Sequence, residues 1–405
     1  MKILVIGKGG REHAFVKKFV NSSLVDEVYV APGNAGIREQ KVKLHQDDSL
    51  DSLLSLCEEK QIQNVFIGAE QYLALAYADA FRARGCRVIG PNQDAARTET
   101  SKNFCKKYLL KADIPTANSY TYKDLSSLKS HCEEAIMAGP LVLKWDHLAS
   151  GKGVFICRNT QELRDAYQRL DQLQGDFSCL VEDYIEGKEL SAFVYVEKGE
   201  CYYFGSACDY KRRTSESGSP NTGGMGAFSP NRYLDEEETR RISLEYSQRL
   251  LNTLEQDGIQ YEGFLFWGFM LADGKPYVLE INVRFGDPET QCILPRMKND
   301  LAAFFFTDNK EPPLFSEEHC LHLVKVDPGY PLHTGIKEEI QVQDGDLEVF
   351  FAGVIEEDGR LFTKGGRILG LSGKAKNLQE ARKKVYENHQ QARFAQEDFR
   401  EDIGC

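Results

Sequence analysis

Three side chains in "YVLEINVRFGDPETQ", residues 277–291, could do chemistry together. If "YVLEINV" is a strand, Glu280, Asn282 and Arg284 alternate onto one face. A carboxylate, an amide and a guanidinium on an otherwise apolar strand are costly to bury without partners. A carboxylate and an amide oxygen are hard ligands suited to Mg²⁺ bridging nucleotide phosphates. An arginine one step further could stabilise charge on a transferring phosphoryl group. A solvated surface strand is the plainer alternative, and the tight acidic turn "FGDPETQ" argues against it.

Cations suited to those phosphates stand in "LVLKWDHLASGKGVF", residues 141–155. Lys144 ends an apolar strand and Lys152 sits in a glycine turn. The "GKG" is not a P-loop, which needs four residues before its G-K pair and Ser or Thr after it. Further on, "LVEDYIEGKELS" suits a nucleoside. Backbone from Glu182 to Ile185 could bond an adenine edge, and Glu189 could accept from ribose hydroxyls, although acidic residues flanking strands are commonly just solvated. The glycines of Thr222-Gly223-Gly224-Met225-Gly226 permit an N–H nest for anions, or simply a hairpin tip.

At the N-terminus "GKGGREH" puts Gly7, Gly9 and Gly10 between a strand and a helix, where N–H groups favour an anion. A dinucleotide fingerprint would carry glycine where this chain has Glu12. A nicotinamide site, a ligand-free turn and the phosphate of another small molecule all remain compatible. Arg11 and His13 are expected to be solvated or capping.

The elements that must position these groups change character along the chain. In the first hundred residues short apolar strands alternate with amphipathic helices, implying a parallel, doubly wound sheet. "QYLALAYADAFRARG" predicts a helix closed by Gly85. From "TSKNFCKKYLLKADIP" onward the order helix, strand, strand, helix, strand predicts a small α+β lid. Long strands follow in 189–210, then a long helix in "LDEEETRRISLEYSQRLLNTLEQDG" and a hairpin of "FLFWGFMLADG" with "PYVLEINVRFG". Residues 320–375 read as glycine-turned strands, and a charged helix closes the chain.

The chain has 405 residues, which suggests two to four domains. A net charge of −12 argues against nucleic acid or an anionic membrane as the main partner. Eleven cysteines without a C-x-x-C pair predict reduced, mostly buried thiols in a cytoplasmic protein. "MKILVIGKGG" has too short an apolar run for a signal peptide, and "FLFWGFMLA" is too short to span a membrane.

Two lysines flanking a glycine turn, an acidic nucleoside clasp and an E-x-N-x-R strand together resemble the ATP-grasp superfamily. Within it, "GKGGREHA", "APGNAG", "SKNFCKKY", "LASGKGV", "PNTGGMGAFSP", "FGDPETQ" and "DFREDIG" resemble the phosphoribosylamine–glycine ligase family over nearly the whole chain. The resemblance implies an N-terminal substrate domain over 1–100, an ATP-grasp domain over 101–315 with its lid at about 118–188, and a mostly-β C-terminal domain over 316–405. It implies ATP-dependent ligation of glycine to 5-phosphoribosylamine through glycyl phosphate, in purine biosynthesis, by a monomer or homodimer. Lys102, Lys144, Lys152, Glu182, Ile185 and Glu189 would hold ATP, and Glu280 and Asn282 would hold Mg²⁺ or Mn²⁺. Arg284 and Lys152 would act at the reacting centre. Gly10, Asn34, Glu70, Asp209, Lys211, Gly223, Gly224 and Asp287 would shape the glycine and ribosyl-phosphate sites.

The chain departs from the family's wording in three places: Trp145 and His147 in "KWDHLASGKG", Cys208 and Tyr210 in "CDYKR", and "GAEQYL" at 68–73. The last two fall near the expected amine pocket. A same-fold ligase with a changed acceptor or acid is therefore one alternative, and an NAD(P)-dependent oxidoreductase built on "GKGG" is another.

Overall fold

β-Branched runs that stop at glycine build the first layer. Its elements are β1 (Lys2–Gly7), α1 (Gly10–Val20), β2 (Glu27–Pro32), β3 (Val42–Leu44), α2 (Leu50–Lys60), β4 (Asn64–Ile67), α3 (Glu70–Ala74), α4 (Tyr77–Ala83) and β5 (Arg87–Ile89). All pairings are parallel in the order β3-β2-β1-β4-β5, so the topology switches at β1, the strand that runs into "GKGG". The computed structural model describes residues 1–405 except 148–152, 174, 217, 309, 333, 334 and 336.

The helix expected over "QYLALAYADAFRARG" is broken in two. Ala76 takes a left-handed conformation (φ 60°) between α3 and α4, while Gly85 (φ 79°) follows the C-cap of α4. Five residues apart on one helix, Tyr72 and Tyr77 would point about 140° apart. The break instead turns both rings into the core, 5.2 Å between centroids.

After α5 (Gln93–Thr100), Ser101 caps α6 (Lys102–Lys111) by accepting from the Phe104 N–H. Next come β6 (Ser119–Tyr122), α7 (Leu125–Ala135), β7 (Leu141–Trp145), β8 (Val154–Cys157), α8 (Thr160–Leu170) and β9 (Cys179–Asp183). They form an antiparallel sheet, β6-β9-β7-β8, over a core of its own that includes Leu128, Leu143, Trp145, Leu163 and Val181. This is the small α+β lid.

The main layer comprises β10 (Lys188–Glu197), β11 (Glu200–Asp209), β12 (Gly226–Ser229), α9 (Glu236–Gln256), β13 (Gly263–Ala272) and β14 (Lys275–Asn282), then α10 (Thr290–Ile293) and α11 (Leu301–Phe306). It continues into β15 (His319–Val326), β16 (Gln341–Val342), β17 (Glu348–Phe351), β18 (Val354–Glu357), β19 (Arg360–Thr363), β20 (Arg367–Ala375), α12 (Leu378–Asn388) and β21 (Ala392–Arg393). One eight-stranded sheet runs β14-β13-β10-β11-β12-β15-β20-β17, joined across the C-terminal region where Gly226 pairs with Leu323. The ribbons β16–β21 and β18–β19 stand apart from it.

Arg11 and His13 are buried, against the expectation of solvated helix-start residues. Arg11 donates to the Phe285 carbonyl, and the Phe351 N–H donates to His13 Nδ1, 2.9 Å away. His13 Nε2–H therefore faces Glu39 at 2.7 Å. The start of α1 is thus a seam against the main sheet, which is why polar residues there are not at the surface.

Candidate active site

β13 and β14 form the expected hairpin, with Glu280 opposite Gly268 and Asn282 opposite Phe266. A Cβ on Gly268 would crowd Glu280 Cγ at 3.1 Å, so the glycine leaves that carboxylate its space. Arg284 stands just beyond the strand and is anchored by its neighbour. Phe285 stacks on Phe193 at 4.4 Å and 7° inside an aromatic cluster with Phe264 and Phe204. Burial of such a ring stabilises by about 1.5–3 kcal/mol.

The guanidinium of Arg284 is held from two sides. Nε lies 3.2 Å from Glu70 Oε2 and Nη2 3.1 Å from Glu99 Oε1, while Nη2 also reaches Asn282 Oδ1 at 3.4 Å. Burial would push Glu70 up, but Arg284 and Arg11 hold its carboxyl down at about 2. Glu280, Asn282 and Arg284 are thus brought together. Partial desolvation raises the half-exposed Glu280, and the field of Lys211, Lys144, Lys102 and Arg284 outweighs it, so the carboxyl ends below its usual range. Lys211 itself lies 3.9 Å from Glu280 and 3.0 Å from Glu189.

Lys144 projects from β7 into a fixed socket, 2.7 Å from Glu182 Oε2 and donating to the Leu279 carbonyl at 2.8 Å. The other oxygen of Glu182 meets Lys106 at 2.7 Å. The buried side chain of Glu182 is thus committed to two lysines, which leaves the backbone beyond it as the candidate for a base edge. Tyr184 N–H bonds back to the Pro140 carbonyl, and Ile185 and Glu189 follow on the way into β10. Lys106 was not singled out from sequence; its i, i+4 spacing from Lys102 on one face of α6 was the available signal. Among the described residues Lys102 makes long contacts, 3.5 Å to the Glu99 and His147 carbonyls. Lys152 lies outside the described residues.

A second cluster joins the N-terminal turn, the "FGDPETQ" tail and the glycine loop. Gly9 N–H donates to Glu12 Oε2 at 2.7 Å, so at the position a fingerprint glycine would occupy the turn carries its own buried carboxylate, packed against Gly7 and Gly68. That arrangement disfavours a dinucleotide pyrophosphate. Gly10 packs on Gln291, whose Nε2 donates to Asp287 Oδ1 at 2.7 Å. Gly224 (φ 113°) sits where a Cβ would strike Pro288. Asn34 is spent on the scaffold, donating to the carbonyls of Lys8 and Phe351 and accepting from Gly36 N–H.

Three residues in this cluster went unremarked in the sequence. Arg367, from β20, donates to the carbonyls of Gly223 and Asp287 at 2.8 Å and pairs with Asp287 Oδ2 at 3.1 Å. Tyr330 Oη accepts from Gly223 N–H at 2.8 Å. Glu289 is buried, and burial together with nearby Asp209 pushes its carboxyl up to about 8; burial likewise lifts Asp209 to about 6 against the pull of Lys211.

The departures from the family wording point elsewhere. At the end of β11 and just past it, Cys208 and Tyr210 turn away from Asp209 and Lys211: Cys208 is buried in the core, and Tyr210 Oη accepts from Gly404 N–H at 2.9 Å. In "GAEQYL" Glu70 faces Arg284, while Tyr72 turns inward and donates to Asp48 at 2.5 Å. Trp145 fills the lid core against Phe177, and the His147 ring packs on it at 5.1 Å, with Nε2 donating to the Asp176 carbonyl at 3.0 Å.

A small lid over a main sheet whose edge strand presents Glu280, Asn282 and Arg284 to converging lysines defines an ATP-dependent ligase of the ATP-grasp class. Family models described as phosphoribosylglycinamide synthetase match the chain in three parts, the N domain over 1–99, the ATP-grasp (A) domain over 100–290 and the C domain over 320–405. The chain belongs to the phosphoribosylglycinamide synthetase family. It is 36% identical to the phosphoribosylamine–glycine ligase of Haemophilus influenzae, over 100% of this chain and 98% of that one. With the Listeria innocua enzyme of the same name the identity is 34%, over 100% and 99%. Phosphoribosylamine–glycine ligase from Thermotoga maritima superposes with a TM-score of 0.86 at 30% identity over the full length of both chains. The biotin carboxylase domain of Hydrogenobacter thermophilus 2-oxoglutarate carboxylase shares the fold, with a TM-score of 0.73 at 18% identity over 98% of this chain and 91% of that one.

Proposed function

We propose that the protein joins glycine to 5-phosphoribosylamine at the expense of ATP, giving glycinamide ribonucleotide, ADP and phosphate in purine biosynthesis. The observation that carries this reading is the placing of Lys144, seated on Glu182 and the Leu279 carbonyl, and of Arg284, clamped by Glu70 and Glu99, beside the β14 end that bears Glu280 and Asn282. A carboxylate is a poor acyl electrophile because its oxygen leaves badly. Transfer of the γ-phosphoryl group to glycine gives glycyl phosphate. The amine nitrogen then attacks the carbonyl carbon, the C–N bond forms, the C–O bond to phosphate breaks and the amine releases a proton. Such chemistry needs positioning and neutralised charge rather than a protein nucleophile.

Each residue then has a physical task. Lys144, seated on Glu182 and the Leu279 carbonyl, is a fixed positive charge for the inner phosphates, and Lys102 and Lys152 add to it. Arg284, clamped by Glu70 and Glu99, stabilises charge at the acyl phosphate. The backbone from Glu182 to Ile185 receives the base and Glu189 the ribose. Glu280 and Asn282 offer a carboxylate and an amide oxygen on one face, a donor set that fits Mg²⁺ or Mn²⁺, and among the described residues no three His, Cys, Asp or Glu side chains gather as a self-sufficient metal site. When bound there, the ion supplies charge neutralisation on the outer phosphates. Gly10, Asp287, the Gly223–Gly224 loop, Asp209 and Lys211 frame the amine side. On this reading residues 101–315 hold the nucleotide, and they share the acceptor with residues 1–100. All eleven cysteines are free, which supports a cytoplasmic setting.

The test is the product formed from ATP, glycine and freshly made 5-phosphoribosylamine. A product with the mass of glycinamide ribonucleotide, and phosphate release that needs both glycine and the amine, are expected. Equal release with a different amine or acid would reassign the acceptor.

A further inference from the structure

Helix α6 is gripped by the lid on two sides, and the nucleotide reading uses only one of them. On the front, Lys106 meets Glu182, and Lys144 beside it reaches the Leu279 carbonyl. On the back, a single residue of α6, Asn103, is bonded to three separate pieces of the lid. Its Oδ1 accepts from Thr121 of β6 at 2.6 Å. Its Nδ2 donates to Ser178, just before β9, at 3.0 Å and to Asp146, just after β7, at 2.5 Å.

Asp146 is the centre of that back seam. It accepts from the Asn103 N–H and the Ser101 hydroxyl, both at 3.0 Å, as well as from Asn103 Nδ2 and, at 3.2 Å, the Ser178 hydroxyl. Ser178 in turn accepts from Lys123 at 2.8 Å. Every proton direction is therefore set: Asp146 accepts in all four of these bonds, and it sits at the positive end of α6.

The two seams differ in what a nucleotide does to them. On the front seam Lys144 is the lysine assigned to the phosphates, and it meets them from its socket on Glu182 and the Leu279 carbonyl. The back seam contains no group assigned to ATP and opens onto a 620 Å³ surface cleft that also meets Arg97 and Lys107. It can persist while the front meets phosphates. Asn103 directly follows Lys102, and Asp146 lies two residues past Lys144, so the seam sets the spacing of both lysines.

We propose that Asn103 is the pivot of the lid and that Asp146 is the positioning residue that fixes its angle, and with it the separation of Lys102 and Lys144. This inference rests on the assignment of those lysines to the phosphates of ATP. Asp146→Asn turns an amide N–H toward Asn103 Nδ2, and Asn103→Asp sets two carboxylates face to face. The double swap Asn103→Asp/Asp146→Asn restores a donor for every acceptor, so the pair forms a mutant cycle.

The test is direct titration with MgADP together with steady-state kinetics. Each single variant is expected to weaken MgADP binding and raise the KM for ATP by about tenfold, with KM for glycine and kcat changed less than about threefold, and the double swap to return both toward wild type. Wild-type binding of MgADP with unchanged affinity in the single variants would overturn the pivot alone. A fall in kcat with a rise in every KM, in step with a lowered melting temperature and without rescue by the swap, would reduce the seam to a structural contact. A wild type that binds no MgADP would overturn the nucleotide assignment and the pivot with it.

Discussion

Glu99 fixes Arg284 twice: one carboxylate oxygen lies 3.1 Å from Nη2, and the other accepts at 2.7 Å from the N–H of Val283, the residue before it. The side chain and the backbone that carries it are thus set by a single group from the end of α5. Burial lifts the Glu99 carboxyl above its usual range although Arg284 opposes the shift, whereas Glu70 on the other side stays low. Both carboxylates lie in the stretch between β4 and α6. Arg284 therefore registers where the first layer sits against the main sheet.

Glu99→Gln keeps an acceptor for Val283 but removes the charge from Arg284. We expect kcat to fall about 10- to 100-fold with KM for ATP nearly unchanged, because the lost element is orientation at the centre rather than nucleotide binding. Steady-state phosphate release measures both. A rise in KM for ATP at constant kcat would move Arg284 away from the chemistry.

Glu280→Ala separates catalysis from stability. The side chain is 44% exposed and its nearest cation, Lys211, is 3.9 Å away and closer to Glu189. Removing it is expected to change unfolding free energy by about 0.5 kcal/mol or less. Turnover dependent on Mg²⁺ or Mn²⁺ is expected to drop at least about 100-fold. Denaturant melts and metal titrations of activity check the two halves, and a variant with near-normal turnover would show that the metal is held elsewhere.

Arg367→Met tests the contribution of β20. The variant loses the bonds to Gly223 and Asp287 and leaves a mostly buried carboxylate with Gln291 and Arg11. A loss of about 2–4 kcal/mol in stability is expected. KM for the amine is expected to rise more than KM for ATP, since the glycine loop is untied from the "FGDPETQ" tail. Arg367→Lys should not rescue, because one ammonium cannot span two carbonyls and a carboxylate. Equal effects on both KM values would make the arginine a general brace.

The architecture was legible where periodicity is strong. "KILVIG" and "NVFIGAE" gave the parallel layer, and E-x-N-x-R gave the grouping of Glu280 and Asn282 on one strand face with Arg284 just past its end. What a residue pairs with over long separations was not legible. Glu182 read as part of a nucleoside clasp, and only packing reveals its two lysines. Arg11 and His13 read as surface residues because nothing local says that β17 and the loop after β14 close over α1. Arg367 and Tyr330 lie among glycine-turned strands with no pattern of their own, about a hundred residues from the loop they hold. Ala76 broke a helix that propensity favours, since tertiary burial of two tyrosines outweighed it. The family departures worried the amine pocket until the end of β11 and the residues just past it turned Cys208 and Tyr210 to the other face.

Glu289 makes a prediction about pH. Burial and the like charge of Asp209 push its carboxyl up to about 8 from an ordinary 4.5, against the weaker pull of Lys211 and Arg284. Between those values the native protein keeps a proton that the unfolded chain has released. The native state then binds more protons than the unfolded state, so stability must fall as pH rises through that window. Glu289→Gln cannot ionise and removes the slope. It also relieves Asp209, itself raised to about 6, which acts in the same direction. Wild type and variant are therefore expected to melt within about 2 °C of each other at pH 5, with the variant progressively higher up to pH 8.5. Thermal melts across that range provide the measurement. A gap that stays flat or narrows would mean that Glu289 is already ionised in the folded protein, so that a cation closer than Lys211 must neutralise it.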